Sequence, residues 1–469
     1  MIEFGTGGWR AIIADGFTKA NLQILCNAVC DMMIEQDKTE KGVIIGYDRR
    51  FLSKEAAFWA AEVFAGNDIF VRVIDRESPT PVIMYAVKEM ELEYGLAITA
   101  SHNPAIYNGV KLFTKGGRDA NEGITEYLEE FIKKVDKPKT LAFDKGVAAG
   151  KIELMNPENE YIDSIIANVN IQAIKDARLK IALDPMYGVS QTSLRTILAT
   201  TRSELHMIHD RHDTLFGGRL PAPNEDTLGA LSNFVIENKC DLGVATDGDA
   251  DRIGVINEKG EFIDPNQLLV LLYYYLLKYR GWKGPVVRNN STTHLLDRVA
   301  AAFGEQCHEV PVGFKHISSK MERTDAIIGG ESSGGLTVKG HILGKDGIYA
   351  AVLLAEIISV TKMPLSALYK EVTDIYGDCF IVSKDFHLAD FTEKTKLQDK
   401  IFFEKCLPTF DEEVDHVSYL DGCKVYFKNG GWVIARFSGT EPLLRFTSEM
   451  DNSEAALKCV ESFQAVLGL

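Results

Sequence analysis

Three aspartates stand at alternate positions in Asp247-Gly-Asp-Ala-Asp-Arg252, namely Asp247, Asp249 and Asp251. Carboxylates at this spacing converge on one hard cation through oxygen ligands. As a plain acidic turn they would only repel one another. A calcium EF-hand is the rival pattern, because Glu258 falls at its twelfth position. Arg252 occupies the place where that loop needs glycine, however, and Ile253–Ile256 reads as a strand. Mg²⁺ is the expected ion where phosphate supplies a further ligand. Ser101, in Thr99-Ala-Ser-His-Asn-Pro104, sits in a tight turn, and no GxSxG elbow surrounds it. Beside a divalent cation, a phosphorylated serine is neutralised and activated for transfer. Lys111, in Asn108-Gly-Val-Lys111, is near enough in sequence to reach the same loop.

Lys plus Arg number 51 and Asp plus Glu 67, for a net charge of −16. Such a chain repels nucleic acid and anionic membranes, so neither is an expected partner. Any phosphate site must then be locally basic. Arg436-Phe-Ser-Gly-Thr-Glu-Pro-Leu-Leu-Arg445 meets that need. Ser438, Gly439 and Thr440 offer hydroxyls and an amide nest, and Arg436 and Arg445 bracket them with guanidinium forks. In Gly330-Glu-Ser-Ser-Gly-Gly335, Glu331 and Ser333 offer an acceptor and a donor–acceptor for vicinal sugar hydroxyls.

These loops need strands to carry them. Leu96–Ile98 runs into the serine loop, Leu242–Ala245 into the aspartate loop and Ala326–Ile328 into the Glu331 loop. Ligands in open α/β sheets bind beyond such strand ends. Strand and helix patterns alternate: Val43–Ile45 with Lys54–Ala65, Lys180–Leu183 with Gln191–Ala199, and Pro285–Val287 with Thr293–Phe303. Near the C-terminus strands come closer together, at Lys424–Phe427, Trp432–Arg436 and Leu444–Thr447, before a helical stretch at Ser453–Val466. The 469 residues thus read as an α/β protein. Three similar α/β domains with mixed sheets face a cleft, and a smaller α+β domain follows. The expected boundaries are 1–150, 151–256, 257–370 and 371–469. Asp390–Lys400 reads as a solvated loop or helix face without function. Eight scattered cysteines without a CxxC pair suit reduced thiols. No signal peptide is visible, and the longest apolar run, Leu268–Leu277, falls short of the roughly 20 residues that span a bilayer. A cytoplasmic protein is expected, and no feature specifies an oligomeric state.

Serine, aspartate, sugar and phosphate loops, in this order, resemble the α-D-phosphohexomutase superfamily. The likeness extends from Phe4-Gly-Thr-Gly-Gly-Trp-Arg10 to Arg445. It implies that Ser101 is a phosphoserine and that Asp247, Asp249 and Asp251 bind Mg²⁺, with the serine phosphate as a further ligand. It also implies that Glu331 and Ser333 read sugar hydroxyls, and that Arg436, Ser438, Gly439, Thr440 and Arg445 hold the non-reacting phosphate. Arg10, Lys111 and Arg252 match positions close to the reacting phosphate. The implied cycle is ping-pong through glucose 1,6-bisphosphate, which also serves as activator. Gly335 departs from the family members that carry His there and accept both mannose and glucose phosphates. Gly344-Lys-Asp-Gly347 and Val310-Pro-Val-Gly-Phe-Lys-His316 are more like the glucose-preferring branch. Phosphoglucomutase is therefore expected, ahead of a phosphomannomutase or dual enzyme and of a phosphoglucosamine mutase. Lys345 and His341 remain as general acid/base candidates, and Lys345 is preferred because the glucose branch places a lysine in a similar stretch. A sugar-phosphate sensor or a phosphatase would use the same loops without isomerisation.

Overall fold

Val43–Tyr47 and Tyr94–Ile98 are buried along their whole length, as parallel strands covered by helices must be. In the computed structural model, which describes every residue except Met1, Thr6 and Thr440, they pair in parallel at the centre of the first sheet. The order is Trp9–Ile12, Tyr107–Thr114, Tyr94–Ile98, Val43–Tyr47, Val71–Ile74 and Ile152–Met155, with Arg118–Asp119 added on Tyr107–Thr114. Tyr107–Thr114 is antiparallel to both its neighbours in this order, so the sheet is mixed. Helices Lys19–Glu35, N-capped by the Thr18 hydroxyl, and Ser53–Gly66 bury Leu25, Val29, Ala57 and Phe64 in a core shared with Ile45 and Leu96.

The second sheet is also mixed, in the order Phe262–Ile263, Ile253–Ile256, Leu242–Thr246, Lys180–Asp184 and Glu204–Met207. Leu242–Thr246 lies parallel to Lys180–Asp184 and antiparallel to Ile253–Ile256. Further along, Val286–Asn289 lies between two parallel partners, Cys307–Val310 and Ile328–Gly330. The strand expected at Ala326–Ile328 is thus displaced towards its loop. Asp325 C-caps helix Phe314–Thr324 at a φ of 54°, and the Ala326 amide still donates to Met321. The C-terminal part is a five-stranded antiparallel sheet: Phe380–His387, Leu443–Met450, Trp432–Phe437, Cys423–Phe427 and Val414–Ser418. Helix Ser453–Leu467 contributes Val460 and Phe463 to a core with Val433 and Phe446.

Two compact units result, 1–268 with 333–368 and 269–332 with 369–469. Helix Gly347–Thr361 is buried from Gly347 through Ser359 and packs within the first unit on helices Ile171–Ala177 and Gln191–Thr200. Leu268–Leu277, the longest apolar run, lies on helix Pro265–Lys278 and is buried throughout. Among the described residues no single helix is long and apolar enough to cross a membrane. All eight cysteines are unpaired. Asp390–Lys400 takes the helical one of its two expected forms, with a largely solvated face. It forms helix Phe391–Gln398, capped by the Asp390 carboxylate, and Lys394 on it is buried with Nζ 2.7 Å from the Ser438 carbonyl.

Candidate active site

Parallel pairing brings Tyr47 opposite Ile98, so the residues just past these strands, Asp48 and Thr99, come together. The Thr99 hydroxyl donates to Asp48 Oδ2 at 2.6 Å and accepts the Ser101 amide at 2.8 Å. Arg50, fully buried, donates to the carbonyls of Ser101 (2.6 Å), Asn103 (2.7 Å), Pro104 (2.9 Å) and Tyr107 (3.0 Å), and its Nε lies 3.3 Å from Asp48. These ties hold Ser101 at a φ of 52°, a left-handed conformation that a side chain disfavours by about 1–2 kcal/mol. Strain at one over-determined residue is a mark of functional loops.

The Ser101 hydroxyl donates to Asp247 Oδ2 at 2.7 Å. Asp247, Asp249 and Asp251 each offer a carboxylate oxygen within 4.8 Å of the others, and all three are buried. Ala250 between them takes a φ of 65°. A Cβ on Gly248 would lie 2.8 Å from the Ser101 carbonyl oxygen, so only glycine lets the two loops approach. Lys111 Nζ bridges Asp249 and Asp251 at 2.6 Å each, Lys345 Nζ reaches Asp251 at 2.9 Å, and the Thr80 hydroxyl donates to Asp249 at 2.7 Å. Burial, then the charges of Asp249 and Asp251, push Asp247 well above the ordinary carboxylate range. Burial also opposes ionisation of Asp251, but the charges of Lys111, Lys345 and Arg252 outweigh it and hold that carboxyl well below the range. Asp249 Oδ1 and Asp251 Oδ1 are buried without a hydrogen-bond partner among the described residues. Paired buried oxygens left over in a three-carboxylate cluster fit a hard divalent cation.

Arg10 donates to Asn103 Oδ1 at 2.5 Å, and Arg252 anchors the aspartate loop through its amide, 3.0 Å from Asp247 Oδ1. Burial, followed by the charges of Arg252 and Arg10, keeps the His102 imidazole neutral, its pKa driven down to about 2. His341 does not join this group. Its side chain is 2% exposed, and Nε2 lies 2.6 Å from Asp346, which also accepts the Tyr161 hydroxyl at 2.7 Å. Of the two acid/base candidates, Lys345 thus contacts the aspartate cluster, while His341 is enclosed with Asp346 and Tyr161.

In the second unit, Arg436 and Arg445 stand directly opposite on antiparallel strands. Like charges so placed repel. Each is met by a carboxylate: Arg436 Nε donates to Asp421 at 3.0 Å, and Arg445 forks onto Asp385 at 2.6 and 2.5 Å. Gly439 is exposed and Ser438 is half-buried, while Thr440 lies outside the described residues. Glu331 belongs to this unit and accepts from the Gly313 amide at 3.0 Å and from Asn289 at 3.3 Å. Ser333 is exposed and belongs to the first unit. Sequence reasoning missed Asp48, Arg50, Thr80, Lys394, Asp385 and Asp421. Only Asp48-Arg-Arg50 left a signal, a charged run directly after an apolar strand.

The chain matches the phosphoglucomutase/phosphomannomutase α/β/α domain I over residues 1–139, domain II over 159–260, domain III over 264–376 and the C-terminal domain over 396–466. A phosphoglucomutase/phosphomannomutase of Thermococcus kodakarensis is 28% identical over 460 residues, covering 98% of this chain and 96% of that one. A phosphoglucosamine/phosphogalactosamine mutase of Sulfurisphaera tokodaii is 26% identical over 478 residues, covering 99% and 98%. A crystal structure from Thermus thermophilus, described as a phosphomannomutase, superposes with a TM-score of 0.85 at 28% identity and covers 100% and 99% of the two chains. With these matches running from end to end in domain order, the chain belongs to the α-D-phosphohexomutase superfamily and is an enzyme of it.

Proposed function

We propose that the chain is a phosphoglucomutase, interconverting α-D-glucose 1-phosphate and glucose 6-phosphate through a phosphoserine at Ser101. The observation that carries this reading is the Ser101 hydroxyl, 2.7 Å from Asp247 in a cluster whose buried Asp249 and Asp251 Oδ1 oxygens lack partners among the described residues. Asp247, Asp249 and Asp251 would hold Mg²⁺, which when bound neutralises the phosphoserine and lowers the barrier to transfer. In the first half-reaction the Ser101 Oγ–P bond breaks and a P–O bond forms to the free hydroxyl of the hexose monophosphate. Lys345, an ammonium beside Asp251, gives a proton to the departing serine oxygen and takes one from the sugar hydroxyl, so it ends protonated as it began. In the second half the 1,6-bisphosphate, turned end for end, returns its other phosphoryl group to Ser101 Oγ. Lys345 gives a proton to the freed sugar oxygen and takes the one that leaves Ser101 Oγ.

Arg10, Lys111 and Arg252 hold the reacting phosphate by charge. Arg436, Arg445, Ser438, Gly439 and Thr440 take the other phosphate, and Glu331 and Ser333 take sugar hydroxyls. The two arginines have carboxylate partners that a phosphate would supplant on some of their N–H groups, since each guanidinium carries five donors. Four domains near 1–150, 151–256, 257–370 and 371–469 suit this reading, with Ile152–Met155 added to the first and Phe262–Ile263 to the second because they pair with those sheets. Eight unpaired cysteines accord with a reducing cytoplasm. Glucose is favoured over mannose because Gly335 stands where dual members carry His, and because Gly344-Lys-Asp-Gly347 and Val310-Pro-Val-Gly-Phe-Lys-His316 resemble the glucose-preferring branch. A dual phosphomannomutase or a phosphoglucosamine mutase is the second reading, favoured by the names of the two relatives above.

The test is relative turnover of glucose, mannose and glucosamine 1-phosphates with Mg²⁺ and catalytic bisphosphate. Glucose 1-phosphate is expected to give the highest kcat/KM. A higher value for mannose or glucosamine would replace the sugar assignment, and free phosphate released faster than isomer would make the enzyme a phosphatase.

A further inference from the structure

We infer that Gly335 is a positioning residue for Lys345: the empty space at its Cα lets the lysine stem cross to Asp251. This role rests on the proposed place of Lys345 in the transfer site. A Cβ placed on Gly335 would lie 2.4 Å from Cδ, 3.0 Å from Cγ and 3.7 Å from Cβ of Lys345. Carbon atoms in contact keep about 3.5–4.0 Å apart, so one group must yield. Gly334, its neighbour, has a φ of 86° and is there for backbone freedom. Gly335 is absent from the left-handed region, so its backbone accepts any side chain and only the space is at issue.

The backbone on both sides is fixed. Gly335 bridges Arg252, and the Ile253 amide donates to the Gly334 carbonyl at 3.2 Å. Beyond Lys345, the Asp346 amide donates to Leu336 at 3.0 Å and the Gly347 amide to Ala250 at 3.1 Å. The buried Asp346 carboxylate caps helix Gly347–Thr361, accepting the amides of Ile348 (2.8 Å) and Tyr349 (2.9 Å). Its other oxygen takes the Tyr161 hydroxyl and His341. His341 therefore acts by holding the loop. What remains free to move is the four-carbon stem of Lys345, and moving it breaks the 2.9 Å contact with Asp251. A side chain at 335 thus disables Lys345 without disturbing the fold.

The test compares Gly335→Ala, Lys345→Met and the double variant in single-turnover transfer from phosphorylated enzyme to glucose 1-phosphate with Mg²⁺. It adds competitive acetylation of lysines read by peptide mass spectrometry, and thermal unfolding. Gly335→Ala should slow transfer by about 10²-fold, the scale of a site residue displaced by about 1 Å, with Tm unchanged. The double variant should be no slower than Lys345→Met alone, since both remove the same contact. Lys345 should be acetylated several-fold faster in Gly335→Ala than in the wild type. Unchanged acetylation of Lys345, multiplying rate losses, or a Gly335→Ala protein that unfolds would each overturn the role of Gly335. If Lys345→Met transfers at the wild-type rate, the proton-carrier reading falls by itself, and faster acetylation in Gly335→Ala would still support the positioning role.

Discussion

Thr99→Val tests whether the serine loop is held in a strained form for transfer. The change is nearly isosteric and removes one hydroxyl that makes two bonds, to Asp48 Oδ2 and from the Ser101 amide. Losing a hydrogen bond to a buried carboxylate costs about 1.5–3 kcal/mol, and leaving the Ser101 amide unsatisfied about 1–3 kcal/mol. The sum of about 2.5–6 kcal/mol corresponds to a Tm lowered by roughly 5–20 °C for a domain of this size. Ser101 at a φ of 52° is strained by about 1–2 kcal/mol and would relax once untied. That gap amounts to about a tenfold fall in the population poised for transfer, since 1.4 kcal/mol is a factor of ten. Differential scanning calorimetry and rapid-quench single-turnover transfer measure the two effects. A Thr99→Val protein with wild-type Tm and transfer rate would refute the idea that Asp48 and Thr99 hold the loop. A lowered Tm with an unchanged rate would confine their role to stability.

Ser101→Ala should lose all isomerisation while keeping its fold, and the phosphate mass seen on wild-type protein before phosphatase treatment should vanish. Asp249→Asn should weaken Mg²⁺ binding in calorimetric titration and remove most activity, because it takes one charge from the three-carboxylate cluster; a wild-type rate that survives EDTA would contradict this. Arg445→Lys keeps the charge but loses the fork that now grips Asp385, so kcat/KM should drop by tenfold or more while bisphosphate still phosphorylates Ser101. His341→Gln should lower Tm, since it disturbs the buried Asp346 network, and leave single-turnover transfer within a few-fold of wild type; a loss of about 10²-fold with unchanged Tm would return the proton to His341.

The aspartate and serine loops were legible because their chemistry is local. Asp247, Asp249 and Asp251 lie within five residues, and the strands before them are short apolar runs. What supports them was not legible. Arg50 holds carbonyls more than 50 residues away, and Thr80, at the start of helix Thr80–Glu89, meets Asp249 across 169 positions, pairings that only the folded chain creates. Histidine is a common proton carrier, and nothing in the sequence neighbours of His341 announces a ring enclosed by Asp346, Tyr161 and Tyr349. The antiparallel C-terminal sheet was visible in its close strand spacing, whereas the carboxylates facing its two arginines come from separate strands and turns. Helix Gly347–Thr361 reads as buried because it is apolar all round, but apolarity does not name the surface that buries it.

That helix sets a timetable for synthesis. The first compact unit is completed by residues 333–368, although its continuous part ends at Leu268. On the ribosome roughly 100 further residues must emerge before the missing piece arrives, a wait of about 5–20 s at ordinary elongation rates. During that interval helices Ile171–Ala177 and Gln191–Thr200 lack their apolar cover. Fragments ending near residue 268 should accordingly be prone to aggregate, and supplying Ser333–Leu368 in trans should rescue them.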